Sequence, residues 1–145
     1  MVAASPAVEF TFAREVRLVD TDATGFAHFS SYVRMMEETE YAFLRSRGLS
    51  VVLYDERGTL GFPRLAASLE IHRPLELGER VTVCLALTHA DSKQVQYDFT
   101  ILDATNTVTV EGRFRAACCR FPDDRAPYAI LIPDDVLTAL RSDPV

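Results

Sequence analysis

An α+β fold, a curved antiparallel sheet of about five strands wrapped around one long central helix, is the class the sequence predicts. Three observations carry it. One segment, Phe29–Arg47, has apolar residues at helical spacing; a single alternating run, Glu9–Val19, precedes it; and four alternating runs follow it with turn residues between them. One mostly apolar helix and antiparallel strands that each bury one face suggest a single curved sheet wrapped around the helix.

The elements follow in order. Residues 1–8 are small, contain Pro6 and are expected to form a loose tail ahead of one domain over residues 9–145. In Glu9–Val19, Phe10, Phe12, Val16 and Leu18 supply the buried side of a first strand. Asp20–His28 breaks that pattern with Asp, Thr and Gly25 and reads as a loop. Within Phe29–Arg47, Phe29, Val33, Met36, Phe43 and Leu44 fall on one helical face with Tyr32 beside them, whereas Arg34, Glu38, Tyr41 and Arg45 fall opposite. Ser30 or Ser31 offers a capping oxygen at the start and Gly48 a stop at the end.

A variable stretch through Gly58 and Gly61 leads to the strand-like runs. Arg64–Arg73 places Leu65, Ala67, Leu69 and Ile71 on one face; Arg80–His89 does the same with Val81, Val83, Leu85 and Leu87, and Pro74 and Gly78 mark the turn between them. Gln94–Leu102 alternates Val95, Tyr97, Phe99 and Ile101 with polar residues, and Thr107–Phe121 alternates Val108, Val110, Phe114 and Ala116 with polar residues, so both are expected to be half-buried. Pro133–Arg141 predicts a short final helix with Asp134 and Asp135 in its first turn.

Composition narrows the function. With 15 Lys and Arg against 21 Asp and Glu, the net charge is −6, which disfavours capture of nucleic-acid phosphates. Lys93 is the only lysine, so an anionic small molecule would depend on a few arginines. The longest run without charge, Ala23–Val33, is too short to span a bilayer, and Met1–Val8 lacks a basic start and apolar run; no membrane contact and a cytoplasmic location are expected. The three cysteines form neither a CxxC pair nor a metal spacing with His28, His72 or His89 and read as reduced structural thiols.

Asp20-Thr21-Asp22-Ala23-Thr24-Gly25-Phe26-Ala27-His28 sets carboxylates beside a helix N-terminus. Free N–H groups and the positive end of the helix dipole at such a place polarise a carbonyl or stabilise an oxyanion. An ionised Asp22 there can attack an electrophilic carbon or activate water, and Gly25 lets the backbone turn tightly or approach a ligand. Taken alone, composition and spacing favour the same aspartates as turn formers or charge partners of the helix.

Asp22-Ala23-Thr24-Gly25, an aromatic-rich helix start and Tyr32-Val33-Arg34-Met35-Met36-Glu37 together resemble the hotdog-fold 4-hydroxybenzoyl-CoA thioesterase family, in its clade with Asp in the loop before the central helix. Ile71-His72-Arg73-Pro74-Leu75-Glu76-Leu77-Gly78-Glu79-Arg80-Val81 resembles that family's strand-turn-strand segment, and the likeness runs from about Phe10 to Phe121. The resemblance implies a hydrolase of small, medium or aromatic acyl-CoA thioesters. It implies Asp22 as nucleophile or general base and the helix-start amide near Phe29 as the donor to the thioester carbonyl, with His28 open between substrate contact, orientation of Asp22 and helix capping. Gly25 and Tyr32 are the implied substrate contacts near the loop, and Ser92 and Lys93, in the turn Asp91-Ser92-Lys93, those on the nucleotide side. No metal or other cofactor is implied. Two chains are expected to pair their sheets, as a homodimer or homotetramer with sites at the dimer interface.

Two other readings stand beside this one: hydrolysis of acyl groups carried on a carrier protein, and a binding module without catalysis. The histidine-plus-carboxylate pattern of hotdog dehydratases has no clear counterpart here. Glu40, near the middle of the apolar helix face, is expected to pair with an arginine or to be a second acid at a subunit interface, and Glu37 is expected to be structural or interfacial. Structural or surface positions are expected for His72 and His89, and packing for Cys118 and Cys119. Arg113, Arg115 and Arg120 are candidate phosphate contacts, with surface ion pairing as the alternative.

Overall fold

The computed structural model describes residues 8–142. Of the tail expected over residues 1–8, only Val8 falls inside that range, and it opens the first strand. The strands are β1 (Val8–Glu15), β2 (Val52–Asp55), β3 (Gly58–Gly61), β4 (Arg64–Ile71), β5 (Arg80–Ala90), β6 (Gln94–Leu102), β7 (Val108–Arg120) and β8 (Tyr128–Ile130); the α-helices are α1 (Phe29–Ser46) and α2 (Asp134–Arg141). The α+β class and the sheet curled around α1 are as expected. The strand number is not: five long strands are joined by three short ones, β2, β3 and β8, in one eight-stranded sheet.

The order β1-β5-β6-β7 is antiparallel throughout, and β4 pairs with β7 rather than with β5, the strand that follows it in sequence. Pro74–Gly78 is therefore a crossover, not a hairpin turn. Leu75 explains why: it is fully buried, and its carbonyl accepts from the Ala27 N–H at 2.8 Å, so the segment crosses over the start of α1. The stretch through Gly58 and Gly61 is a β2–β3 hairpin. Its Asp55 is clasped by Arg120 at 2.5 and 2.9 Å, which ties it to the end of β7.

α1 buries Tyr32, Met35, Met36, Phe43 and Leu44 along one face, against the alternating inner residues of β5, β6 and β7. Gly112 lets α1 come this close: a Cβ there would stand 2.3 Å from the Met36 Cε. Phe29 departs from the expected core face and is 63% exposed, whereas Ser31 and Tyr32 of the same turn are buried. The first strand also ends early, at Glu15. Leu18 and Val19 lie exposed in a single 3₁₀ turn that brings Asp20 inward to Arg14. α2 packs Val136, Leu137 and Leu140 inward, as its sequence predicts.

Candidate active site

The loop into α1 is built like a hairpin. Asp22 N–H donates to the Phe26 carbonyl at 3.0 Å, Gly25 N–H to the Asp22 carbonyl at 3.1 Å, and Thr21 bridges to Ala27. Gly25 adopts φ +85°, and a Cβ there would meet nothing within 4 Å; the glycine is required by backbone conformation, not by a close neighbour. Gly25→Ala is accordingly expected to cost about 1–2 kcal/mol, the penalty of a left-handed L-residue, read as a lower denaturant midpoint.

The two aspartates of the loop have opposite fates. Asp20 is completely buried. Its carboxylate accepts from Arg14 at 2.6 and 2.9 Å and from the Arg17 N–H at 2.8 Å, while its carbonyl accepts from the His28 N–H and the Ser31 hydroxyl. Burial opposes its charge, but the Arg14 and Arg17 bonds outweigh it and hold the carboxyl below the usual range. Asp22 is exposed. Its Oδ1 accepts from the Thr24 hydroxyl at 2.5 Å and the Thr24 N–H at 2.8 Å, which keeps it below the ordinary carboxylate range, and Oδ2 accepts no hydrogen bond among the described residues. The loop thus presents an ionised carboxylate with a free oxygen.

His28 is the N-cap of α1. Its Nδ1 accepts from the Ser30 N–H at 3.2 Å and lies 2.7 Å from the Ser30 hydroxyl, so of its three open roles the chain itself engages capping. With Nδ1 accepting, the ring hydrogen sits on Nε2. The Phe29 N–H, at the first helical position, has no hydrogen-bond partner among the described residues. Asp22 and the open Phe29 amide therefore both belong to the loop and first turn at the positive end of α1.

Tyr32 is placed in the core at 1% exposure, its hydroxyl accepting from the Leu75 N–H at 3.1 Å, where it holds the crossover down. Ser92 and Lys93 are exposed in the β5–β6 turn, with the Ser92 carbonyl accepting from Ile132 and the Asp91 carboxylate from the Lys93 N–H. They lie at the far end of β5 from the Asp22 loop, which is fastened at the near end by Leu77 to Gly25. At ~3.3 Å per residue, β5 separates the two by roughly 30 Å within one chain. Arg113 pairs with Asp98 and Arg120 with Asp55, so of the three arginines proposed for phosphate only Arg115 has no ion-pair partner among the described residues. His89 pairs with Asp91, and His72 with Glu111 at 2.9 Å beside Glu70. That last trio, with ligand atoms within 4.8 Å of one another on the exposed surface, is the only group among the described residues with the proximity to hold a cation.

Sequence reasoning singled out Glu40 but not its surroundings. Glu40 is 3% exposed and doubly hydrogen-bonded by Arg64 at 2.7 and 2.8 Å, the arginine pairing expected of it; burial nevertheless pushes its carboxyl above the ordinary range. Glu37 accepts from the Tyr41 hydroxyl at 2.6 Å, a bond that raises that phenol to about 12. These groups line a cavity of about 210 Å³ together with Leu44, Phe62, Tyr97 and Leu140. No single-residue pattern marks this cavity, because it is assembled from α1, β4, β6 and α2.

Residues 16–140 match the model of the thioesterase-like superfamily. A 1,4-dihydroxy-2-naphthoyl-CoA hydrolase of Synechocystis sp. is 28% identical over 115 residues, 79% of this chain and 83% of that protein. The crystal structure of a 1,4-dihydroxy-2-naphthoyl-CoA thioesterase from Synechocystis superposes with TM-score 0.78 at 24% identity, covering 92% of this chain and 96% of the other. A 4-hydroxybenzoyl-CoA thioesterase mutant in complex with 4-hydroxybenzoyl-CoA shares the hotdog fold at TM-score 0.77 over 91% and 98% of the chains, but only 11% identity. The 4-hydroxybenzoyl-CoA enzyme is thus a distant structural neighbour. No helix among the described residues is long and apolar enough to cross a membrane.

Proposed function

The chain belongs to the thioesterase-like superfamily, and from that premise we propose that it hydrolyses an acyl-CoA thioester, with Asp22 supplying the carboxylate. The observation that carries this is the coincidence of an ionised Asp22, with one oxygen unengaged, and the open Phe29 N–H at the positive end of α1. The thioester oxygen accepts from the helix start as negative charge develops on it. Asp22 either attacks the carbonyl carbon, forming an anhydride that water then opens, or removes a proton from water as the water attacks. In both cases the carbon–sulfur bond breaks, CoA leaves as thiol after gaining a proton, and one water is consumed in releasing the carboxylic acid.

The names of the relatives favour an aromatic acyl group carrying hydroxyls. Residues 9–145 act as one domain in the cytoplasm, as a homodimer or homotetramer. The eight-residue β4, paired among the described residues with β7 alone and exposing Leu65 and Ile71, offers a free edge to a second copy. Such pairing supports sites shared between chains, since Ser92 and Lys93 are too far from Asp22 to serve it within one. A screen of short, medium, long and aromatic acyl-CoAs tests the reading. Turnover is expected to be highest for hydroxylated aromatic esters; no hydrolysis of any CoA ester, with turnover only of carrier-protein esters or with binding alone, would replace it.

A further inference from the structure

Resting on the acyl-CoA reading above, we propose that Thr24 is a positioning residue of the reaction: its hydroxyl fixes the plane of the Asp22 carboxylate, so that Oδ2 is the oxygen presented to the thioester carbon or to the attacking water.

The chain supplies its own comparison. Among the described residues, four aspartates at turns, Asp22, Asp55, Asp91 and Asp103, accept on Oδ1 the backbone N–H of the residue two positions on, at 2.8, 2.9, 2.8 and 2.9 Å. At three of these turns Oδ2 is engaged as well. Arg120 reaches Asp55 Oδ2 at 2.9 Å, His89 Nε2 reaches Asp91 Oδ2 at 2.8 Å and Arg73 reaches Asp103 Oδ2 at 3.1 Å. Those carboxylates are pinned at both oxygens and tie segments together. Asp22 follows the same local rule, yet nothing among the described residues takes its Oδ2. The outward oxygen that is structural at the other three turns is left open in the loop that leads into α1.

An open oxygen has a mechanical consequence. A single hydrogen bond fixes where Oδ1 sits, but the carboxylate can still swing about that bond, and an exposed side chain that swings spends little time aligned for attack. At the other turns the side chain at Oδ2 removes this freedom. At Asp22 the second restraint is the Thr24 hydroxyl, which donates to the same Oδ1 at 2.5 Å beside the Thr24 N–H. The Phe26 N–H donates to the Thr24 Oγ1 at 3.3 Å, which leaves the hydroxyl hydrogen for Asp22. Two donors on one oxygen set the plane of the carboxylate and with it the direction of the Oδ2 lone pairs.

The sequence Asp-Ala-Thr recurs at Asp103-Ala104-Thr105 with the same two bonds, from the Thr105 N–H at 2.9 Å and its hydroxyl at 2.7 Å. There Arg73 also holds Oδ2, so the hydroxyl is one restraint among several. At Asp22 it is the one side-chain restraint among the described residues.

The test uses the full chain and the CoA ester that wild type hydrolyses fastest in the acyl-CoA screen. Thr24→Val, which keeps the side-chain shape and the backbone N–H, is expected to lower kcat at least about tenfold, the worth of one hydrogen bond to a charged group. KM and the unfolding midpoint are expected to stay unchanged. Thr24→Ser, which restores the hydroxyl, is expected to recover the wild-type kcat. Thr105→Val, which removes the same bond where Arg73 still holds the carboxylate, is expected to leave kcat as it is. Added to Asp22→Asn, Thr24→Val is expected to cost nothing further, because a positioning residue acts only through the group it positions. A wild-type kcat in Thr24→Val, an equal loss in Thr24→Ser or Thr105→Val, or a further loss on top of Asp22→Asn overturns the role of Thr24. Near-normal turnover in Asp22→Asn, or no hydrolysis of any CoA ester by wild type, overturns the parent reading instead.

Discussion

Asp22→Asn is expected to lower kcat at least about a hundredfold, the range that acid–base and nucleophilic groups supply, with no change in unfolding midpoint. Both halves follow from the loop geometry. Asparagine retains an Oδ1 able to accept from the Thr24 N–H and hydroxyl, so the turn that shapes the loop survives. The side chain is exposed, so its charge does not hold the fold together. What is lost is the negative oxygen beside the open helix amide. Steady-state kinetics with the best ester from the screen measure it, and near-normal turnover would remove Asp22 from the chemistry. Because the Thr24 bonds hold the Asp22 carboxyl below its ordinary 3.8, the wild-type rate is expected to keep its base or nucleophile through mildly acidic pH and to lose it only below that value.

Asp20→Ala, two residues away, is expected to act in the opposite sense: about 3–5 kcal/mol of stability lost, the usual result of removing one partner from a buried ion pair. Arg14, whose side chain is 5% exposed, would keep Glu38, at 2.6 Å, as its one carboxylate partner among the described residues. The same substitution removes the acceptor for Arg17, so the 3₁₀ turn loosens and the loop carrying Asp22 loses its anchor. Urea unfolding at neutral pH measures the loss. The pH dependence has a definite sign. The folded Asp20 carboxyl lies below its unfolded value of 3.8, so the pair's stabilisation is fully present above that value and is lost as pH falls through the lower folded one. The variant is expected to lack this part of the acid slope, and an unaltered slope would deny Asp20 its role.

The sequence made the long elements legible because each buries one face. Period 3.6 over Phe29–Arg47 and period 2 over Gln94–Leu102 place those elements to within a residue of their observed bounds. The β2–β3 hairpin escaped because four-residue strands with Gly58 and Gly61 carry no period, and the β4–β7 pairing because sequence order says nothing of a crossover. At the site, the loop motif found Asp22 and the helix start, but distinguishing Asp20 from Asp22 required seeing Arg14, six residues upstream, reach back to one and not the other. Phe29 and Tyr32 show the limit of a helical wheel. Both belong near the apolar stripe, yet only Tyr32 is buried, where the crossover through Leu75 meets it, and the wheel does not show that crossover. The Glu40 cavity was reachable only as an anomaly, a carboxylate on an apolar face, since its other walls come from distant segments.

The longest strand of the sheet has a bearing on how the chain attains its shape. β7 alone joins β6, β4, β3 and β8, and its partners include residues some sixty positions earlier, such as Leu60 beside Arg120. Loop closure over such separations must be paid for before the contacts reward it, which slows acquisition of structure. During synthesis, β4 has no mate, and the β2–β3 hairpin no neighbouring strand, until residues 108–120 have left the ribosome. Through that interval the hydrogen-bonding edges of β3 and β4 stand bare, and the nascent polypeptide is most prone to aggregate.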